Sequence, residues 1–433
     1  MEIHRHPSSK HVAANHQREW VFGLFWCGLC LFVLAFFAPT ENSAVRELVL
    51  VYFQPMLPIT FALWLWGHNV QRFHDLSIDY EACFSSKDRK TLLPAAEVYR
   101  VALVVTAICL TFATAFAVVG AVGWYALADF LPLCMYFMMA LLLVAPVDYL
   151  NMPSRLFFGE TLQRVLVPIQ DVSWSDFLLA DIMTSLSKST GDLSKAWSAL
   201  LAGPALTSLA NTSTTSAAEN GTEVRVVDPL GLPVLIALCL PYIIRFIQCL
   251  IVYRTTGNRS QLLNALKYAT AFPALVLTAI EHEYHILGRR YPLYDAWLVA
   301  MFVNSLYSYY WDLEMDWDMP WLVQPGGRTV LGILRLPGLK IDAFYRPSWY
   351  VWAALSNLAL RLAWTHRLMG NLESHNAVAL TIAMLEVFRR YQWTYVRVET
   401  ELRKIKLKQT HDHDVDADEQ KHHMMEAQHE DGA

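Results

Sequence analysis

Residues 101-VALVVTAICLTFATAFAVVGAVGW-124 contain no charged side chain. A bilayer hydrocarbon core about 30 Å thick is crossed by a helix of about 20 apolar residues, and this run exceeds that length. Working outward, 131-LPLCMYFMMALLLVAPV-147 follows at once, and 20-WVFGLFWCGLCLFVLAFFA-38 lies near the amino terminus. The whole chain fits the same reading. Its 433 residues are 55% hydrophobic, 13% aromatic and only 17% charged, whereas soluble chains carry about 25% charged residues. The expectation is an all-α, polytopic transmembrane helical bundle.

The apolar runs predict about ten spans, at 20–39, 47–67, 98–120, 124–147, 175–190, 230–252, 267–286, 294–312, 347–365 and 377–396. The first reads as a retained helix, because its apolar run is long and bulky and no small-residue cleavage site follows before Pro39. Lys and Arg are retained on the cytoplasmic side. Arg5, Lys10 and Arg18, the 72–90 cluster, Arg155 and Arg164, Arg254 and Arg259, the 328–346 cluster and the 389–408 run all fall on one side if both termini are cytoplasmic. Arg289 and Arg290 are the exception. The Ser/Thr/Ala/Gly-rich loop 203–228 carries glycosylation sequons at Asn211 and Asn220, and the charge rule places it on the lumenal side.

The net charge of −5 discriminates little, since the acidic tail contributes to it. That tail, polar and without period from about Lys408, is expected to be disordered. No Walker lysine motif, glycine-rich dinucleotide fingerprint or HExxH is present, and no nucleophile–base pair or metal set emerges. An enzyme, a cofactor and a metal site are therefore not expected. Cys27 and Cys30 form a CxxC, but inside an apolar span they read as small packed residues.

An ionisable side chain at membrane depth is costly, so each should face the bundle interior with a partner. The candidates are Asp181 in 175-SDFLLADIMTSLSK-188, Arg245 and Gln248 in 241-PYIIRFIQCLIVYR-254, and Lys267 in 264-NALKY-268. Asp312 and Asp316 close 304-NSLYSYYWDLEMDWDMPWL-322, Arg361 lies in 357-NLALRLAW-364, and Glu386, Arg389 and Arg390 lie in 386-EVFRRYQWTYVRVETE-401. Asp312 and Asp316 are four apart on one helix face and repel unless cations or protons intervene. Pairs that merely fix packing are the bland alternative. The cations match or outnumber the acids Asp181, Asp312 and Asp316, and a cluster with surplus positive charge can host an anion. Arginine pairs bidentately with oxyanions and keeps its proton. The acids can hold the guanidinium groups and accept a hydrogen bond from a protonated oxyanion such as hydrogen phosphate. Tyr268, Trp311 and Trp364 could line the route.

RFIQC (245–249), NALKY (264–268), YSYYWDLEMDW (307–317), NLALRLAW (357–364) and EVFRRYQWTYVRVETE (386–401) together resemble the EXS family. That family comprises the membrane domain of phosphate exporters of the xenotropic-retrovirus-receptor type and a yeast Golgi protein whose loss causes secretion of ER residents. The resemblance is strongest over 174–401. It implies a helical membrane protein passing inorganic phosphate along a path lined by Asp181, Arg245, Lys267, Tyr268, Asp312, Asp316, Arg361, Trp364, Arg389 and Arg390. Two departures stand out. Only about 19 residues precede the first span, so the exporters' SPX sensor domain is not expected and the chain is expected to stand nearer the short Golgi-type members. The family motif continues DWG, whereas Asp318 follows Trp317 here.

The expected organisation is a short cytoplasmic segment 1–19, N-terminal helices over 20–173, a transport core over 174–401 and a cytoplasmic tail 402–433. The expected role is facilitative phosphate transport across the Golgi bilayer, with the plasma membrane as the alternative location. The alternative role is a trafficking adaptor recycling Golgi enzymes. Membrane lipids are implied partners, coat or retention machinery and a homodimer are open, and nucleic acid is not expected.

Overall fold

Pro55 and Pro58 remove two backbone donors from the first described apolar segment, and a helix cannot run straight through that loss. The segment divides into α1 (Ser43–Phe53) and α2 (Met56–Asp75), bent by 45° at the break. The computed structural model describes residues 43–146, 150–208, 231–319, 329–330, 334–335, 344–365 and 375–430. The uncharged run that opens the sequence reading forms α3 (Ala95–Ala121), with Pro94 just ahead of it. Gly123, at φ +89°, lets the chain reverse tightly into α4 (Tyr125–Val144).

The chain continues through α5 (Met152–Leu166), α6 (Trp174–Ser185), α7 (Ser187–Ala202), α8 (Leu232–Thr256), α9 (Ser260–Ala269), α10 (Ala271–Ile286) and α11 (Tyr294–Trp311). A π-helical turn, Asp312–Asp316, extends α11, and α12 (Pro347–Arg361) and α13 (His375–Glu430) complete the order. Thr329–Val330 and Leu334–Arg335 make a two-residue antiparallel pairing. The fold is otherwise all-α.

Two apolar cores organise the helices. Tyr52, Phe53, Phe116, Met135 and Tyr136 pack where α1, α3 and α4 meet. Phe73, Tyr309, Trp317, Tyr350 and Trp393 pack around α13, which lies against α2, α6 and α12. Glu399 of α13 fastens the chain just ahead of α12 by accepting the Phe344 N–H at 3.1 Å, and it also takes the Tyr350 hydroxyl and Arg403. Burial pushes that carboxyl above its usual range, against the lowering effect of its donors.

The seam between α7 and α8 shows how sequence sets spacing. Pro241 inside α8 supplies no N–H and disturbs the carbonyls one turn earlier. Thr190 Oγ1 donates to Ala237 O at 2.8 Å and Ser187 Oγ to Leu238 O at 2.7 Å, so α7 hydroxyls replace part of the broken ladder. Gly191, one turn after Ser187, lets the backbones approach.

Several expectations are corrected. Among the described residues only four helices are long and apolar enough to cross a membrane, or up to five if the bent α1–α2 pair is one span, rather than about ten. The shortfall has a physical origin. Residues 175–190 split into α6 and α7 at Leu186, α12 is only 15 residues long, and 377–396 belongs to a helix with Glu386, Arg389 and Arg390. The segment 20–39, with Cys27 and Cys30, and the sequons Asn211 and Asn220 lie outside the described residues. Residues 408–430, in the tail expected to be disordered, continue α13. Helix nucleation is the costly step, and the Ala, Glu, Gln, Lys and Met residues there propagate a helix already formed.

A Cβ added at Gly191 would stand 2.7 Å from the Leu238 side chain. Gly191→Val is expected to cost about 1–3 kcal/mol by forcing α7 off α8, read as a lower melting temperature of the detergent-purified protein. An unchanged melting temperature would show that the seam is looser than described.

Candidate functional site

The capping box of α6 begins the site. Ser173 Oγ accepts the Asp176 N–H at 3.2 Å, and Asp176 returns a bond to the Ser173 N–H at 3.1 Å. Asp176 also takes Arg164 Nε of α5 at 2.8 Å. That fixes the start of α6 and the azimuth of the next inward acid, Asp181.

Three buried aspartates follow one pattern: each stands between two cations from different helices. Asp181 takes the Tyr268 hydroxyl at 2.7 Å and has Arg245 Nε at 2.7 Å and Arg390 Nη1 at 3.0 Å. Asp312 Oδ2 takes Arg361 Nη2 at 2.6 Å and Arg389 Nη1 at 3.3 Å, with Asn357 Nδ2 at 3.0 Å. Asp316 lies 4.0 Å from Lys267 Nζ and 3.9 Å from Arg397 Nε, and accepts the Trp393 indole N–H at 3.3 Å. Helix α13 thus sends one arginine to each aspartate, and α8, α9 and α12 supply the other cations. Asp312 and Asp316 resolve their mutual repulsion by addressing separate cation pairs.

The three clusters differ in how fully they are satisfied. Arg390 spends Nε on Ser185 at 3.1 Å, Nη1 on Asp181 and Nη2 on Thr184 at 3.1 Å. Arg389 grips Glu386 through Nε at 2.8 Å and Nη2 at 2.6 Å. Arg245 bonds Tyr268 at 3.1 Å and Gln248 at 2.6 Å, and lies over the Phe177 ring at 4.6 Å. Lys267 is different. Among the described residues its ammonium makes no hydrogen bond, and its ion pair with Asp316 is long. It rests over the rings of Tyr268 at 4.4 Å and Trp311 at 5.5 Å, 7% exposed. Beside it Arg397 Nε is buried without a hydrogen-bond partner, between the Trp174 and Phe177 rings at 5.0 Å each. A buried ammonium and guanidinium with unspent donors are costly unless a ligand or water meets them.

Six cations (Arg245, Lys267, Arg361, Arg389, Arg390, Arg397) therefore face five carboxylates (Asp181, Asp312, Asp316, Glu386, Glu401), a surplus of one. Such a surplus attracts an anion. Aromatic walls exclude water and strengthen that field.

Of the ten residues expected from sequence, nine meet in these clusters. Trp364 instead donates to Ser305 Oγ at 2.9 Å and packs edge-on against Trp297. The sequence reading did not place Asn357 or Arg397 in the site. Asn357 stands four before Arg361 and Arg397 seven after Arg390, spacings that put each on the face of a residue already chosen. Among the described residues no group of three or more His, Cys, Asp or Glu is arranged to hold a metal ion.

Comparison with known proteins bears on this site. The chain matches the EXS family over residues 49–403, a wider stretch than the 174–401 of the sequence resemblance. It is 29% identical over 357 residues to SPX and EXS domain-containing protein 1 of Dictyostelium discoideum, covering 80% of this chain and 36% of that protein. Against solute carrier family 53 member 1 of Homo sapiens it is 28% identical over 398 residues, 88% of this chain and 54% of the relative. Protein ERD1 homolog 1 of Schizosaccharomyces pombe is 30% identical over 247 residues, 54% of this chain and 58% of the relative. The chain thus spans roughly a third to three fifths of the length of these relatives. It is a multi-pass membrane protein akin to solute carriers.

The turn leaving the site carries one strained residue. Asp318 adopts φ +51°, a left-handed conformation that glycine adopts without cost, so the turn survives the replacement of the family glycine. Asp318→Gly is expected to raise stability by about 1 kcal/mol, since a side chain in this region costs roughly that much. A higher melting temperature would register it; a lower one would mean that the Asp318 side chain itself holds the turn.

Proposed function

The chain belongs to the EXS family, and from that premise we propose that it is a facilitative transporter of inorganic phosphate in the Golgi membrane. The observation that carries this reading is the Lys267 ammonium, buried beside Asp316 and Arg397 with its hydrogen-bonding capacity unspent. An entering oxyanion meets Lys267 and Arg397 as donors, and Asp316 accepts a hydrogen bond from the O–H that phosphate retains. Arg389, Arg390, Arg361 and Arg245 offer successive cationic stations, each partly neutralised by its aspartate. Partial neutralisation matters for turnover. Conduction needs binding strong enough to draw the ion in and weak enough to release it. Asn357 joins Asp312 to Arg389, accepting Arg389 Nη1 at 3.2 Å, and holds that station in register.

Phosphate as cargo rests on the resemblance to the EXS exporters and on similarity to a solute carrier. Glycosylation by nucleotide sugars leaves phosphate in the Golgi lumen, and a path back to the cytosol has an evident use there. No ATP-binding motif accompanies the site, so the concentration gradient supplies the drive. A second role, recruitment of coat or retention machinery, is favoured by the part of α13 beyond Leu402, which leaves the bundle with an exposed basic stretch through Lys408.

Purified protein in liposomes should release radiolabelled phosphate faster than protein-free liposomes. Lys267→Met breaks no hydrogen bond but leaves Asp316 with Arg397 as its partner cation, so melting temperature is read beside flux; in the folded variant flux is expected to fall at least about ten-fold, the loss of one charge-assisted contact. Wild-type flux in that variant would remove Lys267 from the path. Truncation after Lys408 is expected to leave flux intact, and mislocalised Golgi enzymes in cells with that truncation would assign the adaptor role to the tail.

A further inference from the structure

Adjoining the Asp181 cluster at Arg390, a small open cleft with about 30 Å³ of room for water-sized groups lies between α2, α6 and α13. Its sides are apolar, formed in part by Ala62, Leu65, Ile182 and Val387, and Arg390 and Asn69 are among its lining residues. Arg390 is 7% exposed and uses three of its five N–H hydrogens on Ser185, Asp181 and Thr184, so two remain among the described residues. Asn69 is 2% exposed, and its Oδ1 is buried without a hydrogen-bond donor. A buried amide oxygen with no donor is destabilising unless the site's occupant supplies one.

The two groups ask for complementary things. Arg390 offers positive charge and N–H donors, so it calls for an anion. Asn69 Oδ1 calls for a donor, so that anion must carry an O–H. Inorganic phosphate and arsenate keep at least one O–H at neutral pH, a lipid phosphate monoester carries one in its monoanionic form, and sulfate has none. The neighbouring Asp181 already takes bonds on both carboxylate oxygens, which leaves the proton-reading task to a neutral acceptor that does not repel the anion.

We propose that this cleft binds a protonated tetrahedral oxyanion, with Arg390 meeting its charge and Asn69 its O–H, and that Asn69 sets a preference for phosphate over sulfate. The inference rests on the transport reading and adds an entrance and a specificity-determining residue to it. A site built to accept a hydrogen bond from a ligand O–H discriminates against the analogue that lacks it.

The test is phosphate flux into liposomes containing the full chain, with sulfate and arsenate as competitors. In Asn69→Leu the KM for phosphate should rise about ten-fold. The half-inhibitory concentration of arsenate should rise with it while that of sulfate stays unchanged. An unaltered KM, or equal shifts for sulfate and phosphate, overturns the assignment of Asn69. Asn69→Ala serves if the leucine variant does not fold. Independently, Ala62→Trp should fill the cleft and lower phosphate flux at least about ten-fold without lowering the melting temperature; undiminished flux would show that the anion does not pass this way. Phosphatidic acid in the liposomes separates the two sources of the ligand. A lipid monoester that seats in the cleft raises the phosphate KM of wild type but not of Asn69→Leu, while free phosphate as sole ligand leaves both insensitive to the lipid. Absence of wild-type phosphate flux would overturn the transport reading and this inference together, whereas wild-type flux with insensitive variants overturns this inference alone.

Discussion

The pairing of each buried aspartate with two cations governs the rest of the molecule. Removing a carboxylate from water costs several kcal/mol, and a single partner returns that cost only with excellent geometry. Here Asp181, Asp312 and Asp316 each draw on two helices besides their own. Satisfying them fixes how α8, α9, α12 and α13 stand against α6 and α11. Arg389, Arg390 and Arg397 all come from α13, so this helix acts as the common counter-charge of the bundle. Its apolar neighbours Trp393, Val396 and Val398 pack into the core between them.

The same arrangement explains why the site is not electrically closed. Glu386 on Arg389 and Glu401 on Arg397 balance two of the clusters, and two guanidinium groups around Asp181 leave the positive remainder. Asp312 and Asp181 sit in short, multiply bonded contacts. The Asp316 cluster is held by contacts near 4 Å. Long contacts with unspent donors mark a place that another group can occupy, whereas short bidentate ones mark a place already taken. Unspent donors and aromatic walls are therefore what support the proposal that the anion rests at the Asp316 cluster and approaches it by the cleft at Asn69 and Arg390.

Much of this was legible in the sequence. An acid or a cation inside an apolar run has few reasons to be there, and that logic selected Asp181, Arg245, Lys267, Asp312, Asp316, Arg361, Arg389 and Arg390 before any geometry. Asn69 and Asn357 escaped it because an amide carries no charge and is inexpensive enough at depth to pass as packing. Arg397 was taken for part of the basic run that closes the last expected span, since sequence does not reveal where a helix leaves the bundle. Trp364 was expected as an aromatic lining the route and from the resemblance, yet its ring turns to Ser305. The count of spans misled for a related reason. The polar residues that build the site lower the apolar content of the helices that carry it, and helix breaks at Pro55 and Leu186 depend on local donors rather than on hydropathy.

The central claim, that converging guanidinium, ammonium and carboxylate groups form a passage for a protonated oxyanion, is tested most directly by recording current across a planar bilayer containing the purified chain under a phosphate gradient. The account predicts a conductance whose reversal potential follows the phosphate gradient and shifts little when the accompanying cation is exchanged. A bilayer that stays silent, or a conductance that follows the cation, would contradict it.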